Sequence, residues 1–393
     1  MSNYKQLQPS LYMIGIMSGT SCDGIDVAII DIDSHQIIHF SEYPMPAELR
    51  ESCLRLAEPG LDEIDRLGTL DRALGMAFAQ AVIIALKEKN IPARQVLAIG
   101  SHGQTVRHRP KGISGGHPFT LQIGCAATLA EQTGITVISD FRRRDIAAGG
   151  EGAPLVPFAH QLLFANHDGT TAILNIGGIA NITALNANGS VQGFDTGPGN
   201  MLMDALMLEL SDGRHAYDKN GGLAGTGTIC QALLDTLLQH SFIHQQPPKS
   251  TGREVFGKDM LNRILAWPDL SDADRMATTC AFTVQSLVKQ MAFLKETPKH
   301  WLICGGGARN THLMQKLSSA LAPADVSNTQ QHGIPSEAVE AVSFGLLAQQ
   351  TLLGENNTLA EVTGAAHPVC GGQITPGNNW KQVSQWIYER HHS

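Results

Sequence analysis

The sequence predicts an α/β protein built from two related domains around a central cleft, on the strength of three observations. The chain has 393 residues, more than one hydrophobic core usually supports. It contains 40 glycines and only 5% aromatic residues, as in proteins with many tight strand-to-helix turns. A strand–turn–strand opening occurs twice, about half a chain apart, which indicates an internal repeat. Ligands commonly bind at the junction of two such domains.

Composition and charge narrow the classes of function. The chain has 36 acidic and 28 basic residues, a formal charge of −8, and no long basic block of the kind that binds nucleic acid. Its seven cysteines are odd in number, widely spaced and without a C-x-x-C pair, which favours small buried side chains in a reducing compartment.

An export signal or a membrane span is not expected. The apolar run before Cys22 matches a lipidated export signal poorly, because only Lys5 precedes it and Gly15 interrupts it. No segment approaches the ~18 continuous apolar residues that a membrane helix needs. The sequence therefore predicts a cytoplasmic protein with no nucleic-acid or membrane partner.

The first half of the chain predicts strands followed by alternating helices and strands. Two apolar runs between Leu11 and Asp33 enclose a polar, glycine-bearing turn, and a third strand-like piece follows. A helix is predicted where apolar residues recur at three- and four-residue spacing in "DEIDRLGTLDRALGMAFAQAVIIALKEKN". The next strand is predicted over "QVLAIGSHGQTV", and it is followed by "FTLQIG", the helix "AATLAEQTG", "TVISDF" and the glycine-rich segment 147–157. This order is typical of an α/β fold and predicts a first domain over residues 1–168.

The second half repeats the opening with "TTAILNIGGIANITALNANGSVQGFDTGPG". A helix is predicted at about 200–210, then a loop with "KSTGREVFG", a long helix at 273–294 and the strand–turn–helix "HWLICGGGARNTHLMQKL". A helical segment and a turn-rich tail end the chain. We predict a second domain over residues 169–393, whose last helix is allowed to pack back on the first domain.

Three glycine-bearing turns predict a site for a nucleotide. In "GTSCDGID" the glycines let backbone N–H groups approach an oxyanion, and Asp23 or Asp26 could hold a divalent cation through water. Taken alone, this turn could equally be a tight hairpin whose hydroxyls cap its own backbone. The second turn, "NIGGIAN", occupies the equivalent place in the repeat, and "ICGGGARN" joins a strand to a helix. Two equivalent turns could grip one polyphosphate from both sides.

The residues expected to bind the nucleotide come from these three turns. They are Gly19, Thr20, Ser21, Cys22, Asp23, Gly24, Ile25, Asp26, Asn175, Gly177, Gly178, Asn181, Gly305, Gly306 and Gly307.

The order of the three turns resembles the actin, heat-shock-70 and sugar-kinase superfamily. From about Gly15 to Gly377 the sequence is also similar to the anhydro-N-acetylmuramic acid kinase family, on the motifs "GIMSGTSCDGID", "GSHGQT", "DFRRRDIAAGGEGAPLVP", "NIGGIANIT", "GFDTGPGNMLMD", "STGREVF" and "CGGGARN". The resemblance implies two actin-like (ribonuclease H-like) domains that close on substrate, and suggests a homodimer. It further implies an enzyme that uses ATP and Mg²⁺, with Asp23 and Asp26 near the metal. That enzyme opens the 1,6-anhydro ring of its sugar with water, phosphorylates the freed 6-oxygen and forms N-acetylmuramic acid 6-phosphate.

Asp195 in "GFDTGPGN" matches the family's catalytic aspartate. It ends a strand-like run and precedes a glycine turn that opens a helix, a position that faces a cleft in α/β folds. The alternative is that Asp195 only caps this turn through the backbone of Thr196 and Gly197. We predict that it is the base that takes a proton from the attacking water.

The predicted sugar-binding residues are His102, Gln104, Thr105, Arg144, Asp145 and Glu340. By the family pattern, Arg144 suits an anionic lactyl carboxylate or an ether oxygen, and Asp145 could orient it. For most of the arginines in "FRRRD" a solvated surface run is the simpler interpretation. Zinc at His102 and His108 is improbable at this spacing, and Glu340 has the alternative of an ordinary exposed helix residue.

Two other functions remain open at this stage. One is a conventional amino-sugar kinase, in which Asp195 deprotonates a hydroxyl and no ring opens. The other is an ATP-driven chaperone or filament protein of the same superfamily. The second is disfavoured because "GFDTGPGN" and "DFRRRD" concentrate polar side chains suited to a small molecule.

Overall fold

The structure is a computed structural model that describes residues 11–19, 22–113, 115–165, 168–252 and 255–392. Its described residues form two compact units. Unit 1 comprises 11–159 together with 340–392, and unit 2 comprises 160–339. The sequence analysis placed the division at 168/169 and assigned the residues after it to the second domain, with only the last helix allowed to pack back on the first. In the structure the division lies at 159/160, and residues 340–392 belong to unit 1.

The elements of both units are as follows. The strands are β1 (Tyr12–Met17), β2 (Gly24–Asp31), β3 (Ile37–Pro44), β4 (Val96–Ser101), β5 (Gln104–Arg109), β6 (Phe119–Ile123), β7 (Thr136–Ser139), β8 (Thr171–Ile176), β9 (Ile179–Leu185), β10 (Val191–Pro198), β11 (His300–Cys304), β12 (Asp325–Asn328) and β13 (Gln373–Thr375). The helices are α1 (Ala47–Leu56), α2 (Glu63–Glu88), α3 (Ala126–Thr133), α4 (Arg143–Ala147), α5 (Val156–Phe164), α6 (Met201–Leu210), α7 (Gln231–Leu238), α8 (Ser241–His244), α9 (Lys258–Leu265), α10 (Asp272–Gln290), α11 (Thr311–Leu321), α12 (Val339–Leu353), α13 (Ala360–Thr363) and α14 (Trp380–His392).

The main sheets of the two units share one plan. In unit 1 the order is β13-β7-β4-β1-β2-β3, and in unit 2 it is β12-β11-β8-β9-β10. Each sheet starts with three sequential antiparallel strands, and each is extended from its first strand by two parallel strands. The repeat predicted from the two hairpin openings therefore extends to five strands of each unit.

The central strand β4 explains why α12 belongs to unit 1. All six residues of β4 are buried, as expected of a parallel strand covered on both faces. Beyond a register irregularity at Leu97, Ile99 belongs to the core cluster of α2, whereas its neighbour Ala98 belongs to the cluster of Phe344 and other residues of α12. Successive strand residues point to opposite faces, and this second face is covered by α12 and α14 together with Phe141 and Leu155.

Helix α2 is the one helix among the described residues that is long and apolar enough to cross a membrane by length and composition. Half of its most apolar 18-residue stretch is buried, and its side chains Leu74, Phe78 and Val82 are fully enclosed in unit 1. The central helix of a globular core meets the same criterion, so this is weak evidence for a membrane span.

Candidate active site

The turn between β1 and β2 is tied to the rest of unit 1 by a glutamine. The Ser18 hydroxyl is buried, 3.0 Å from the Gly24 carbonyl oxygen and 2.8 Å from Gln104 Oε1. Gln104 Nε2 donates to the Gly19 carbonyl oxygen at 3.1 Å. Gln104, a predicted sugar-binding residue, thus holds the β1 side of the turn at Ser18 and Gly19, and the Ser18 hydroxyl reaches Gly24 on the other side. Thr20 and Ser21, two predicted ATP-binding residues, lie outside the described residues.

The other residues of this turn differ in exposure. Cys22 is buried in a left-handed conformation (φ 54°), and its thiol hydrogen bonds with Cys53 and raises the pKa of that second thiol. Asp23 is exposed, Asp26 is half-buried on β2, and Ile25 is part of the core. The described residues hold no cluster of three or more side chains suited to a metal ion. Kinases usually hold Mg²⁺ with one or two carboxylates and the substrate phosphates, so two aspartates suffice.

We predict that Gln104→Leu weakens ATP binding more than sugar binding. The substitution removes both hydrogen bonds of the side chain to the turn while keeping its size, so the turn loses its fixed conformation. The KM for ATP is expected to rise about tenfold, corresponding to about 1.4 kcal/mol. Steady-state kinetics with each substrate varied in turn checks this. A rise confined to the KM for the sugar would show that Gln104 contacts the sugar instead.

In unit 2 the turn between β8 and β9 is fixed against the start of α6. The amides of Gly199 and Asn200 donate to the carbonyl oxygens of Gly178 and Gly177 at 2.9 and 2.8 Å. Asn200 Nδ2 also donates to the Ile176 carbonyl oxygen at 3.1 Å. The predicted residues Asn175 and Asn181 face each other across the two strands. The turn is consequently held rigid by its own carbonyl groups.

The turn at residues 305–307 packs directly on this second hairpin. Gly305 has a φ of 76°, and a Cβ added there would overlap Asn175 Oδ1. A Cβ on Gly307 would overlap the Ile176 side chain, whereas one on Gly306 would meet only Asn200 Nδ2 at 3.6 Å. The glycines at 305 and 307 thus permit close approach, and unit 2 brings two of the three predicted nucleotide turns together.

Asp195 lies on β10 at an irregularity in its pairing with β9. Asp195 pairs with Asn181, and the register shifts before Gly197, which has a φ of 136°. The amide of Thr251 donates to Asp195 Oδ2 at 2.8 Å. The carboxylate is therefore held by a loop distant in sequence, an interaction that the capping alternative did not include.

In unit 1 a half-buried arginine joins several predicted residues. Arg142 Nε and Nη2 donate to His102 Nε2 at 3.1 and 2.8 Å, and His102 Nδ1 donates to the Gly103 carbonyl oxygen at 2.8 Å. This network assigns the neutral Nδ1–H tautomer to His102. Burial and the adjacent Arg142 hold the pKa of His102 well below its usual range. Burial also lowers the pKa of Arg142 to about 10, against the attraction of Glu340 and Asp145. His102, Glu340 and Asp145 are thus brought together around an arginine that the sequence analysis did not select.

The remaining predicted sugar ligands lie in unit 1 as follows. Arg144 is exposed, and its Nη1 donates to the Cys370 carbonyl oxygen at 2.8 Å. Asp145 is fully buried, with Oδ2 accepting from the Gly152 amide at 2.8 Å and Oδ1 from the Thr363 hydroxyl at 2.7 Å. Thr105 is half-buried and accepts a hydrogen bond from Gln122. Asp145 therefore fixes the backbone beyond α4.

Buried neutral histidines predict a loss of stability in acid. Burial lowers the pKa of His160, in unit 2, to about 3. Unfolded histidine has a pKa of about 6.5, so the unfolded state binds the extra proton and stability falls as pH decreases below that value. Between pH 7.5 and 5.0 the free energy of unfolding of the wild type is expected to fall by about 2 kcal/mol more than that of His160→Gln, which has no imidazole to protonate. Urea unfolding at both pH values measures it, with exposed His367→Gln as control. An equal loss of stability in all three proteins would contradict a neutral His160.

Unit 2 also contains two cavities away from these residues. One, of about 320 Å³, lies between α10 and α11 beside residues 224–229, and the other, of about 340 Å³, lies at the start of β8 and the end of β9. No predicted site residue lines either cavity. The candidate residues lie elsewhere: the β1–β2 turn and the Arg142 cluster in unit 1, and the other two glycine turns and Asp195 in unit 2.

Two units with this shared strand order place the chain in the class of actin-like ATPases and sugar kinases. Sequence comparison assigns it more narrowly. Residues 11–377 match the anhydro-N-acetylmuramic acid kinase family, and the chain belongs to that family.

Curated relatives agree with this assignment. The anhydro-N-acetylmuramic acid kinase of Vibrio vulnificus (strain YJ016) is 43% identical over 366 residues, covering 92% of this chain and 98% of the relative. That of Shewanella sediminis is 44% identical over 371 residues, covering 93% and 99%. A solved ROK family glucokinase from Streptomyces griseus, in complex with glucose and AMPPNP, has a TM-score of 0.39 and 12% identity and covers 86% of this chain and 99% of its own. The family assignment depends on the sequence matches alone.

Proposed function

We propose that the protein is an ATP-dependent kinase of peptidoglycan recycling and amino-sugar catabolism. It opens the 1,6-anhydro ring of 1,6-anhydro-N-acetylmuramic acid with water and phosphorylates O6, giving N-acetylmuramic acid 6-phosphate. The observation that carries this proposal is the family match over residues 11–377, nearly the whole chain. The fixed carboxylate of Asp195 supports it, because the reaction needs a base.

The nucleotide is assigned to the three glycine turns. The β8–β9 turn and Gly305–Gly307 support this assignment because unit 2 packs them together without side chains in the way. The β1–β2 turn would hold phosphate oxygens through its backbone, in a conformation fixed by Gln104. Asp23 and Asp26 supply oxygen ligands of the kind that Mg²⁺ prefers, and the bound ion would neutralise charge on the transferred phosphoryl group.

Asp195 acts in this proposal as the base for water. A water molecule attacks the anomeric carbon and gives a proton to the Asp195 carboxylate, while the bond from that carbon to O6 breaks. The freed O6 then attacks the γ-phosphorus of ATP, and ADP leaves. The Thr251 amide holds Oδ2 during this step, so the carboxylate keeps its orientation while a proton is transferred.

Unit 1 supplies the sugar-binding groups in this proposal. Arg144 is exposed and carries the charge that suits the lactyl carboxylate, while His102, Thr105 and Glu340 offer further hydrogen-bonding groups. Asp145 and Gln104 support the neighbouring backbone through the contacts described above. We further propose a cytoplasmic homodimer whose domains close on substrate, which sedimentation and solution scattering with and without ligands would check.

A coupled assay tests the function. Purified protein is mixed with ATP, Mg²⁺ and a panel of anhydro and reducing amino sugars, and ADP release and the sugar phosphate are measured. We expect activity with the anhydro sugar and incorporation of oxygen from ¹⁸O-labelled water at the anomeric carbon. A phosphorylated product without label would exclude hydrolytic opening and indicate a conventional amino-sugar kinase.

A further inference from the structure

The loop between α8 and α9 carries a motif of which the proposed mechanism uses only one contact, that of the Thr251 amide with Asp195. It reads "KSTGREVFG" from Lys249, and unit 2 places its first residues against Asp195. The Asp195 amide donates to the Lys249 carbonyl oxygen at 3.2 Å, and the Thr251 amide donates to Asp195 Oδ2 at 2.8 Å. Two backbone contacts therefore hold Asp195, one on each side of Ser250.

The side chain of Lys249 anchors this loop to two helices. Its Nζ donates to the Phe242 carbonyl oxygen on α8 at 3.0 Å and to Gln290 Oε1 on α10 at 2.6 Å. Gln290 is fully buried, and its own Nε2 donates to the carbonyl oxygens of Ile243 and Ser286, each at 3.1 Å. These bonds keep Gln290 Oε1 directed at the lysine, so the loop that holds Asp195 is anchored at a fixed point.

The charge of Lys249 acts in addition to its hydrogen bonds. The ammonium lies 4.6 Å from the ring centroid of Phe242 and 5.2 Å from that of Phe293, where the ring faces stabilise a cation. Burial lowers the pKa of Lys249 to about 8, while attraction to Asp195 acts in the opposite direction. Asp195 is thus a charged group whose attraction stabilises this ammonium. Because the attraction is mutual, it favours the ionised Asp195 carboxylate, the form in which it can accept a proton.

We infer that Lys249 is a positioning residue for Asp195, because it anchors the loop whose Thr251 amide holds the carboxylate. The inference rests on the proposed function, in which Asp195 is the base. Lys249 acts only through Asp195, so its loss should change how fast and at which pH the reaction runs. It should leave ATP affinity unchanged.

Three substitutions separate the anchor from the charge. Lys249→Met removes both, Lys249→Gln keeps a hydrogen-bond donor without the charge, and Lys249→Arg keeps the charge. Lys258→Met, at an exposed lysine at the start of α9, is the matched control. For each protein, kcat and KM are measured from pH 5 to 9 with ATP and the anhydro sugar, ATP affinity is measured by calorimetry, and folding is checked by thermal melting.

We expect Lys249→Met to lower kcat about tenfold or more. In the pH profile of kcat/KM, the acidic limb should move to higher pH by about half a unit or more. Lys249→Gln is expected to move the limb as well, and serves in place of Lys249→Met if that variant does not fold. Lys249→Arg should restore the position of the limb. Folded Met and Gln variants whose acidic limb stays in place would overturn the inference, because a purely structural lysine would alter rate or stability alone. If the wild-type protein does not phosphorylate the sugar, the proposed function itself fails, and the two failures are distinguishable.

Discussion

Replacing Asp195 with asparagine is expected to abolish product formation while ATP binding stays nearly unchanged. Asparagine has the shape of aspartate and its side-chain oxygen can still accept from the Thr251 amide, so the local structure is retained. It cannot take a proton from water, and loss of a general base typically costs about 10²- to 10⁴-fold in rate. The measurement is kcat with the anhydro sugar, together with ATP affinity by calorimetry.

The matched control for this variant is Asp235→Asn, at an exposed aspartate on α7 that accepts from Gln231 one turn earlier. It carries the same chemical change in the same unit and should keep wild-type kinetics. Ordinary turnover by the Asp195 variant would show that Asp195 is not the base. A loss of ATP affinity equal to the loss of rate would instead indicate that Asp195 organises the nucleotide site.

The local parts of the fold were predictable from sequence because their signals are local. The two strand–turn–strand openings, helix α2 and helix α10 all have clear periodicity and are present in the structure. "QVLAIGSHGQTV" was predicted as one strand but forms two, β4 and β5. Gly103, between them, has a φ of 77°, which no continuous strand accepts.

The placement of α12 depends on information that is not local. Its sequence, "VEAVSFGLLAQQTLL", predicts a helix but does not say which sheet it covers. The answer depends on which face of β4 remains uncovered after α2 has packed on the other one. That is a property of the assembled sheet, so chain order alone led to the assignment of residues 340–393 to the second domain.

The same limit applies to the site. The sequence does not show which of three consecutive arginines points inward, and the family pattern favoured Arg144. In unit 1 the least exposed member is Arg142, which is half-buried and binds His102 and the Gly152 carbonyl oxygen, while Arg144 is exposed. Lys249 was quoted within a motif but was not selected, because its relation to Asp195 depends on a loop returning to β10 from about 50 residues away. Motifs thus identify segments, and tertiary packing assigns the side chains within them.

The contact between β1 and α12 predicts the largest effect on stability. A Cβ added to Gly15 would overlap the carbonyl oxygen of Ala341, and it would also lie 2.8 Å from the Gly345 amide nitrogen. These are backbone atoms of a buried helix, so no side chain can rotate to make room. Gly15→Ala is therefore expected to lower the free energy of unfolding by about 3 kcal/mol or more, at or above the upper end for overpacked cores.

Gly68→Ala is the matched control for Gly15→Ala in the same unit. Gly68 lies within α2, and a Cβ there meets nothing within 4 Å. Alanine favours the helix over glycine by about 0.5–1 kcal/mol, so this variant should be as stable as the wild type or more so. Urea unfolding of both variants measures the difference. If Gly15→Ala were as stable as Gly68→Ala, α12 could not lie against β1 as the structure has it, and the assignment of α12 to unit 1 would fail with it.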